Sequence, residues 1–238
     1  MAGMVDPTVD PTVRHLPHAT GELLFCSAAG PEHAGIPIVA PWVAQTLGEQ
    51  MHGWARTLPW RRVSATACAL EHDGLALTFT ASGVDFSLAC RNAGSAPRRI
   101  QLALHPYWAV DAPAARVLGL DGASCLDKTD GREKRFAGEL RFGEEIDFVF
   151  AGVRELSLVD ATRTVHLTLT GADHAVVWNP GPVECRKAPA LLDDDWERFA
   201  CLEPALLGAD RGGVALAPGE TARIAMSVTV TVPGGGAA

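Results

Sequence analysis

The chain has 238 residues, and its 47% apolar and 20% charged content exclude a disordered polymer and give enough material for one sizeable core. Twenty Lys and Arg stand against 28 Asp and Glu, a balance of −8 that argues against nucleic acid or an anionic membrane surface as a partner, so an anionic ligand would need a local basic pocket. No apolar run approaches the roughly 18 residues that cross a bilayer. The opening residues carry Asp6 and Asp10 in place of a basic and then apolar leader, which makes a cytoplasmic location the default expectation. Cys26, Cys68, Cys90, Cys125, Cys185 and Cys201 are scattered without a CxxC pair, so they are expected as small buried hydrophobes, not as a zinc module or disulfide framework.

In chain order, residues 1–20 lack alternation and are expected to be loosely held. Leu75, Leu77 and Phe79, then Phe86, Leu88 and Cys90, alternate with smaller or polar residues on either side of Ser82 and Gly83, the pattern of a hairpin. Ile100, Leu102 and Leu104 form a further alternating run, and so do Val165, Leu167 and Leu169. Residues 190–199 fit a helical turn or a loop equally well. The clearest strand is Thr221–Val232, where apolar positions recur at every second residue from Ala222. Gly234–Ala238 reads as a flexible tail. Gly and Pro punctuate these runs, and neither an internal repeat nor a composition shift divides them. A single all-β domain, an antiparallel sandwich over residues 1–238 with few or no helices, is therefore expected.

The sequence has no GxGxxG, GxxxxGK[ST], GxSxG or HExxH, which removes the main support for dehydrogenase, kinase, α/β-hydrolase and zincin readings. Acid and base groups instead concentrate in four places: His33–Trp42, His52–Trp60, His105–Trp108 and Val176–Glu203. The first is either a rigid apolar platform or a plain surface loop. In the second, His52 and Arg56 flank Trp54, an arrangement that suits a hydroxyl-rich ligand on an aromatic face, although a lone Trp is more often core. His105 ends an alternating run just before Pro106, and Glu203 precedes Pro204. Taken singly, a structural histidine and a solvated edge carboxylate are the plainer readings. Asp147 closes an acidic stretch, Glu144-Glu145-Ile146-Asp147, most of which reads as a solvated turn.

Several short motifs, in order, resemble the galactose mutarotase-like superfamily, and most nearly its glucose-6-phosphate 1-epimerase branch. Gly35-Ile36-Pro37 resembles GGIP, and His52-Gly53-Trp54-Ala55-Arg56 with Trp60 resembles HGFARxxxW. Leu104-His105-Pro106-Tyr107-Trp108 resembles LHxYF. Gly119-Leu120-Asp121-Gly122 with Leu126-Asp127-Lys128 resembles GLxG…YxDK. Glu145-Ile146-Asp147 resembles E[ITV]DR, and Val176-Val177-Trp178-Asn179-Pro180 with Cys201-Leu202-Glu203-Pro204 resembles VVWNP…CVEP. The resemblance implies a β-sandwich and an aldose or hexose-6-phosphate 1-epimerase, an isomerase of carbohydrate metabolism that needs no metal or redox cofactor. It further implies His105 as general acid and Glu203 as general base, with His52, Arg56 and Asp147 orienting a small sugar or sugar phosphate. A carboxylate would remove the O1 proton while an imidazolium protonates O5, opening the ring for reclosure on the other face of the carbonyl. That division requires Glu203 or Asp147 to lie near His105 and favour its charged form. A monomer is the default, with a dimer as alternative.

Three departures bear on substrate. His33 stands where the phosphate-binding branch has Arg, Phe148 follows Asp147 where Arg is usual, and the region before Leu23 lacks the strands that carry QGAxxxxW. Imidazole offers a phosphate one donor where guanidinium offers two, so an unphosphorylated aldose is the alternative substrate unless Arg186 or Lys187 compensates. A sugar-binding descendant without turnover is a second reading. A cupin-type metal enzyme is a third, which lacks its HxH pair.

Overall fold

Alternation becomes a sheet wherever one face can be buried. The computed structural model describes residues 8–233, so the expectations for residues 1–7 and for Gly234–Ala238 lie outside the described part. All pairings between the described strands are antiparallel. A ten-stranded sheet runs in the order Thr8–Val9, Trp60–Arg62, Ala67–His72, Leu75–Ser82, Asp85–Asn92, Thr221–Thr231, Thr164–Thr170, Glu155–Val159, Arg116–Leu118 and Leu140–Arg141. The expected hairpin closes with Ser82 opposite Asp85 across Gly83-Val84. Its alternating Leu75, Leu77, Phe79, Phe86, Leu88 and Cys90 all enter the main core.

The second sheet has eight strands: β1 (Ile38–Val39), β2 (Leu102–Leu104), β3 (Tyr107–Ala109), β4 (Ser124–Asp127), β5 (Arg132–Arg135), β6 (Ile146–Ala151), β7 (His174–Asn179) and β8 (Phe199–Leu206). Their order is β5-β4-β6-β7-β8-β2-β1, with β3 also paired to β8. One face lends Leu102, Leu104, Phe150, Val177 and Leu202 to the core shared with the larger sheet. The residues between them point the other way. Val39, Ala103, Val149, Val176 and Ala205 form a separate apolar cluster, and Tyr107, Phe199 and Cys201 pack with Phe25, Cys185 and Leu191. In β8 every residue but Leu206 is buried. The architecture is thus an all-β, antiparallel sandwich whose smaller sheet is buried on both faces along its central strands β7 and β8.

Several local expectations change. The run Ile100–Leu104 is split: Arg98–Ile100 pairs with Val214–Leu216, β2 joins the eight-stranded sheet, and Gln101 between them donates its N–H to Pro41 O at 2.7 Å. Within the opening segment expected to be loose, residues 8–20 are tied down. Thr8 and Val9 pair with Arg61 and Trp60, Val13 bridges Ile36, and Pro17–His18 pairs with Gly21–Glu22. The buried Arg163 guanidinium holds the same segment through Thr20 Oγ1, Glu22 O and Ala109 O. Residues 34–41 are wholly buried, so this stretch is interior and not a surface loop. Residues 190–198 form a loop with one 3-10 turn at Asp195–Glu197, and the only α-helix among the described residues is Gly181–Cys185. Five cysteines are buried and Cys26 is exposed; all six are free thiols. No described helix is long and apolar enough to cross a membrane.

Candidate active site

The cleft face of the smaller sheet collects its polar residues by strand geometry. β2 ends at Leu104 because Pro106 has no N–H to continue the ladder. The chain turns there, and the neighbouring Gly35–Pro37 segment supplies the missing partners: His105 N–H donates to Pro37 O at 3.0 Å and Tyr107 N–H to Gly35 O at 2.8 Å. Gly35 has φ +65°, and a Cβ on it would lie 2.1 Å from Val13 O, so only glycine fits between the opening segment and the histidine. Glu203 lies inside β8, opposite Val176 of β7, and not at a strand end as the sequence suggests. In β6, Asp147 and Val149 face the cleft.

His52 arrives on the irregular segment 42–53. Gly53 makes this possible with φ +72°, where a Cβ would meet Ala40 O at 2.1 Å. His52 itself sits at φ +62°. Its N–H donates to Ala44 O at 2.7 Å, and its Nδ1 accepts from Ala44 N–H at 3.1 Å. An acceptor Nδ1 places the proton of the neutral ring on Nε2. Burial, with Arg56 next, brings the His52 pKa down to about 4, so the ring is neutral at pH 7.

All six residues singled out from the sequence, His33, His52, Arg56, His105, Asp147 and Glu203, line one cleft of about 730 Å³. That volume is in the range of small-molecule sites. At its base His105 Nε2 lies 3.4 Å from Glu203 Oε1. His105 stacks on Tyr107 with ring centroids 4.9 Å apart, and meets the edges of His52 at 5.6 Å and Trp178 at 5.8 Å. His105 Nδ1 has no hydrogen-bond partner among the described residues. Burial acts on both members of the pair. It pushes His105 well below its ordinary 6.5, helped by His52 and Arg56, and it pushes Glu203 well above 4.5, helped by Asp147. The carboxylate expected near His105 is therefore Glu203, yet desolvation favours the neutral pair over the charged imidazole that the sequence reading required.

Around the pair, Lys128 Nζ contacts Asp147 Oδ2 at 2.5 Å, Arg56 Nη2 donates to Glu32 O at 3.1 Å, and Arg211 Nη2 contacts Glu133 Oε1 at 2.7 Å. His33 Nδ1 lies 2.8 Å from Tyr107 Oη, and its ring stacks on Trp178 at 6.1 Å. Burial and Arg56 lower the His33 pKa, and burial raises that of Tyr107, which leaves a neutral imidazole bonded to an intact phenol.

The structure decides one open reading and corrects two others. Trp54 is core, packed on His72 at 4.8 Å, and the indole of the cleft is Trp178. Phe148 points to the opposite side of β6 from Asp147, against Phe136, Phe150 and the Lys134 ammonium, so its identity does not alter the cleft. Arg186 and Lys187 are exposed beside the short helix, outside the cleft lining, and Lys187 pairs with Glu184 at 2.5 Å. Conversely Tyr107, Lys128, Gln101 and Trp178 line the cleft without having been singled out. Alternation could have found Tyr107, two residues after His105, and Trp178, two after Val176.

Among the described residues no group of three His, Cys, Asp or Glu side chains is arranged to hold a metal. The fold is shared with solved structures. One from Salmonella typhimurium, provisionally named a mutarotase, superposes with TM-score 0.75 at 24% identity over 89% of this chain and 80% of that one. One from Escherichia coli K12, provisionally named an aldose 1-epimerase, gives 0.73 at 17% identity over 97% and 100%. A Cenchrus ciliaris protein provisionally named a glucose-6-phosphate 1-epimerase is 31% identical over 156 residues, 60% of this chain and 46% of that protein, so the chain spans about half the length of this relative. The aldose 1-epimerase family model matches residues 29–229, most of the chain and all six cleft residues named above, and the chain belongs to that family.

Proposed function

We propose that the chain interconverts the α and β anomers of an aldose, with His105 and Glu203 as the proton-transfer pair. The observation that carries this is their 3.4 Å approach at the buried base of one cleft. Ring opening removes a proton from O1 and adds one to O5; reclosure on the other carbonyl face reverses both. A pair that holds one proton between carboxyl and imidazole serves both transfers, since moving that proton from Glu203 to His105 gives the carboxylate base and imidazolium acid. Sugar hydroxyls bonded to Glu203 favour that charged form, offsetting the burial that opposes it. His52 presents Nε2–H to the sugar, Asp147 accepts from its hydroxyls, and Arg56 donates to them. The apolar floor of Leu126, Val149, Val176 and Leu207 excludes water beneath the ring.

An unphosphorylated aldose fits the charge pattern best. Of the cleft's cations, Lys128 and Arg211 are engaged by carboxylates, and His33 is neutral. Arg56 is the group that favours a phosphorylated hexose as second reading. Polarimetry of freshly dissolved α-glucose, beside a coupled assay with α-glucose 6-phosphate, tests both. Acceleration of glucose mutarotation that falls about 10²–10⁴-fold in Glu203→Gln is the expected result. Equal activity in that variant removes Glu203 from its role, and acceleration of neither sugar points to a binding protein without turnover.

A further inference from the structure

Gln101 sits where the alternating run divides between two sheets. The residue is 1% exposed, and both ends of its carboxamide are engaged. Oε1 accepts from Val43 N–H at 2.9 Å and Thr46 Oγ1 at 2.5 Å, while Nε2 donates to Arg211 O at 2.7 Å. The first two partners belong to segment 42–53, which carries His52. The third belongs to segment 207–213, whose start is held by Asp173, with Leu207 N–H and Gly208 N–H each donating to its carboxylate at 2.8 Å. One buried amide thus joins two irregular segments that both line the cleft.

Segment 42–53 needs such a tether. Ala44 and His52, which hydrogen-bond to each other, occupy φ +50° and +62°, a left-handed conformation costing of order 1–3 kcal/mol per non-glycine residue and kept only where neighbouring contacts enforce it. Gln101 fixes Val43, the residue before Ala44, from below. We propose that Gln101 is a positioning residue for His52: by anchoring Val43 and Thr46 it keeps Ala44 N–H on His52 Nδ1, and so keeps the Nε2–H donor turned into the cleft beside His105. The kinetic consequence rests on the sugar-site reading above; the tautomer itself does not.

The test is ¹⁵N NMR of the His52 ring at pH 7, with kinetics, in wild type, Gln101→Met and Gln101→Glu. The wild type should show a single Nε2–H tautomer. Gln101→Met should show a mixture and lose about tenfold in kcat/KM, chiefly through KM. In that background His52→Ala should cost little more, because His52 is already misdirected. Gln101→Glu keeps an acceptor for Val43 and Thr46 and should retain the single tautomer. A single Nε2–H tautomer in Gln101→Met, or losses that multiply with His52→Ala, overturns the proposal; so does a mixture in Gln101→Glu. Should Gln101→Met not fold, Thr46→Val at the exposed rim removes one of the two anchors. Broadened His52 ring signals are then expected, and unchanged ones overturn the proposal. A chain without epimerase activity but with the predicted tautomer changes would sink the function and leave this positioning role standing.

Discussion

The two sheets use similar short antiparallel strands and differ in what covers them. In the ten-stranded sheet one face meets the core and the other alternates into solvent, as in Leu75–Ser82, where buried Leu75, Leu77 and Phe79 are separated by Ala76 and exposed Thr78. The eight-stranded sheet has core on one face and the cleft lining on the other, so β8 is buried almost throughout and carries Glu203 at 3% exposure. A solvated face tolerates any polar residue. A covered face tolerates one only where it is paired or has work to do, because desolvating it is costly.

Neighbours on opposite faces of the smaller sheet should therefore fail in different ways. The largest effect is expected at the cleft face: His105→Asn should lower kcat/KM about 10²–10⁴-fold, with a smaller cost in melting temperature from the lost ring packing on Tyr107 and the weakened contact with Glu203. A lower melting temperature with kcat/KM per folded molecule near wild type would make His105 a structural residue. On the core face, Leu202→Ala removes a fully buried side chain and should cost about 2–5 kcal/mol in denaturant unfolding. Its kcat/KM per folded molecule should stay near wild type.

The same contrast explains what could be read from the sequence. Thr221–Thr231, Thr164–Thr170 and the hairpin at Gly83 were legible because solvent imposes alternation on their outer faces. Strand β8 was not: a strand buried on both faces has no polar rhythm, and Glu203 looked like an edge. The candidate residues of the cleft were named by motif resemblance, while Lys128, though part of a motif, and Gln101 were given no role because the meaning of each depends on a partner elsewhere in the chain. For Lys128 the partner is Asp147, and for Gln101 it is Arg211. Phe148 was misread for a related reason, since a motif gives a position but not the face that it occupies.

Glu203 also ties stability to pH. Burial lifts its carboxyl pKa well above the ordinary 4.5, so above pH 4.5 the folded chain keeps a proton that the unfolded chain releases. Each further rise in pH then favours unfolding until the folded pKa is passed. Glu203→Gln removes this cost, so the variant should melt higher than wild type by a few degrees at pH 8, and the gap should shrink towards pH 4.5. Calorimetry across that window decides. A gap that widens on acidification means that Glu203 is held ionised, and the neutral pair is then ruled out.

The smallest effect is expected at His33, where the cleft face meets the question of substrate. Its imidazole is neutral and bound to Tyr107 Oη at 2.8 Å, so it presents little positive charge to an anion. His33→Arg places a permanent guanidinium there, and one added charge-assisted hydrogen bond should raise kcat/KM for glucose 6-phosphate relative to glucose by about tenfold. The ratio matters more than either rate, because loss of the Tyr107 contact can slow both sugars alike by loosening the ring stacked on His105. A ratio that stays at the wild-type value would show that this end of the cleft does not face the sugar's sixth carbon, and discrimination would then have to be sought at Arg56 and Lys128.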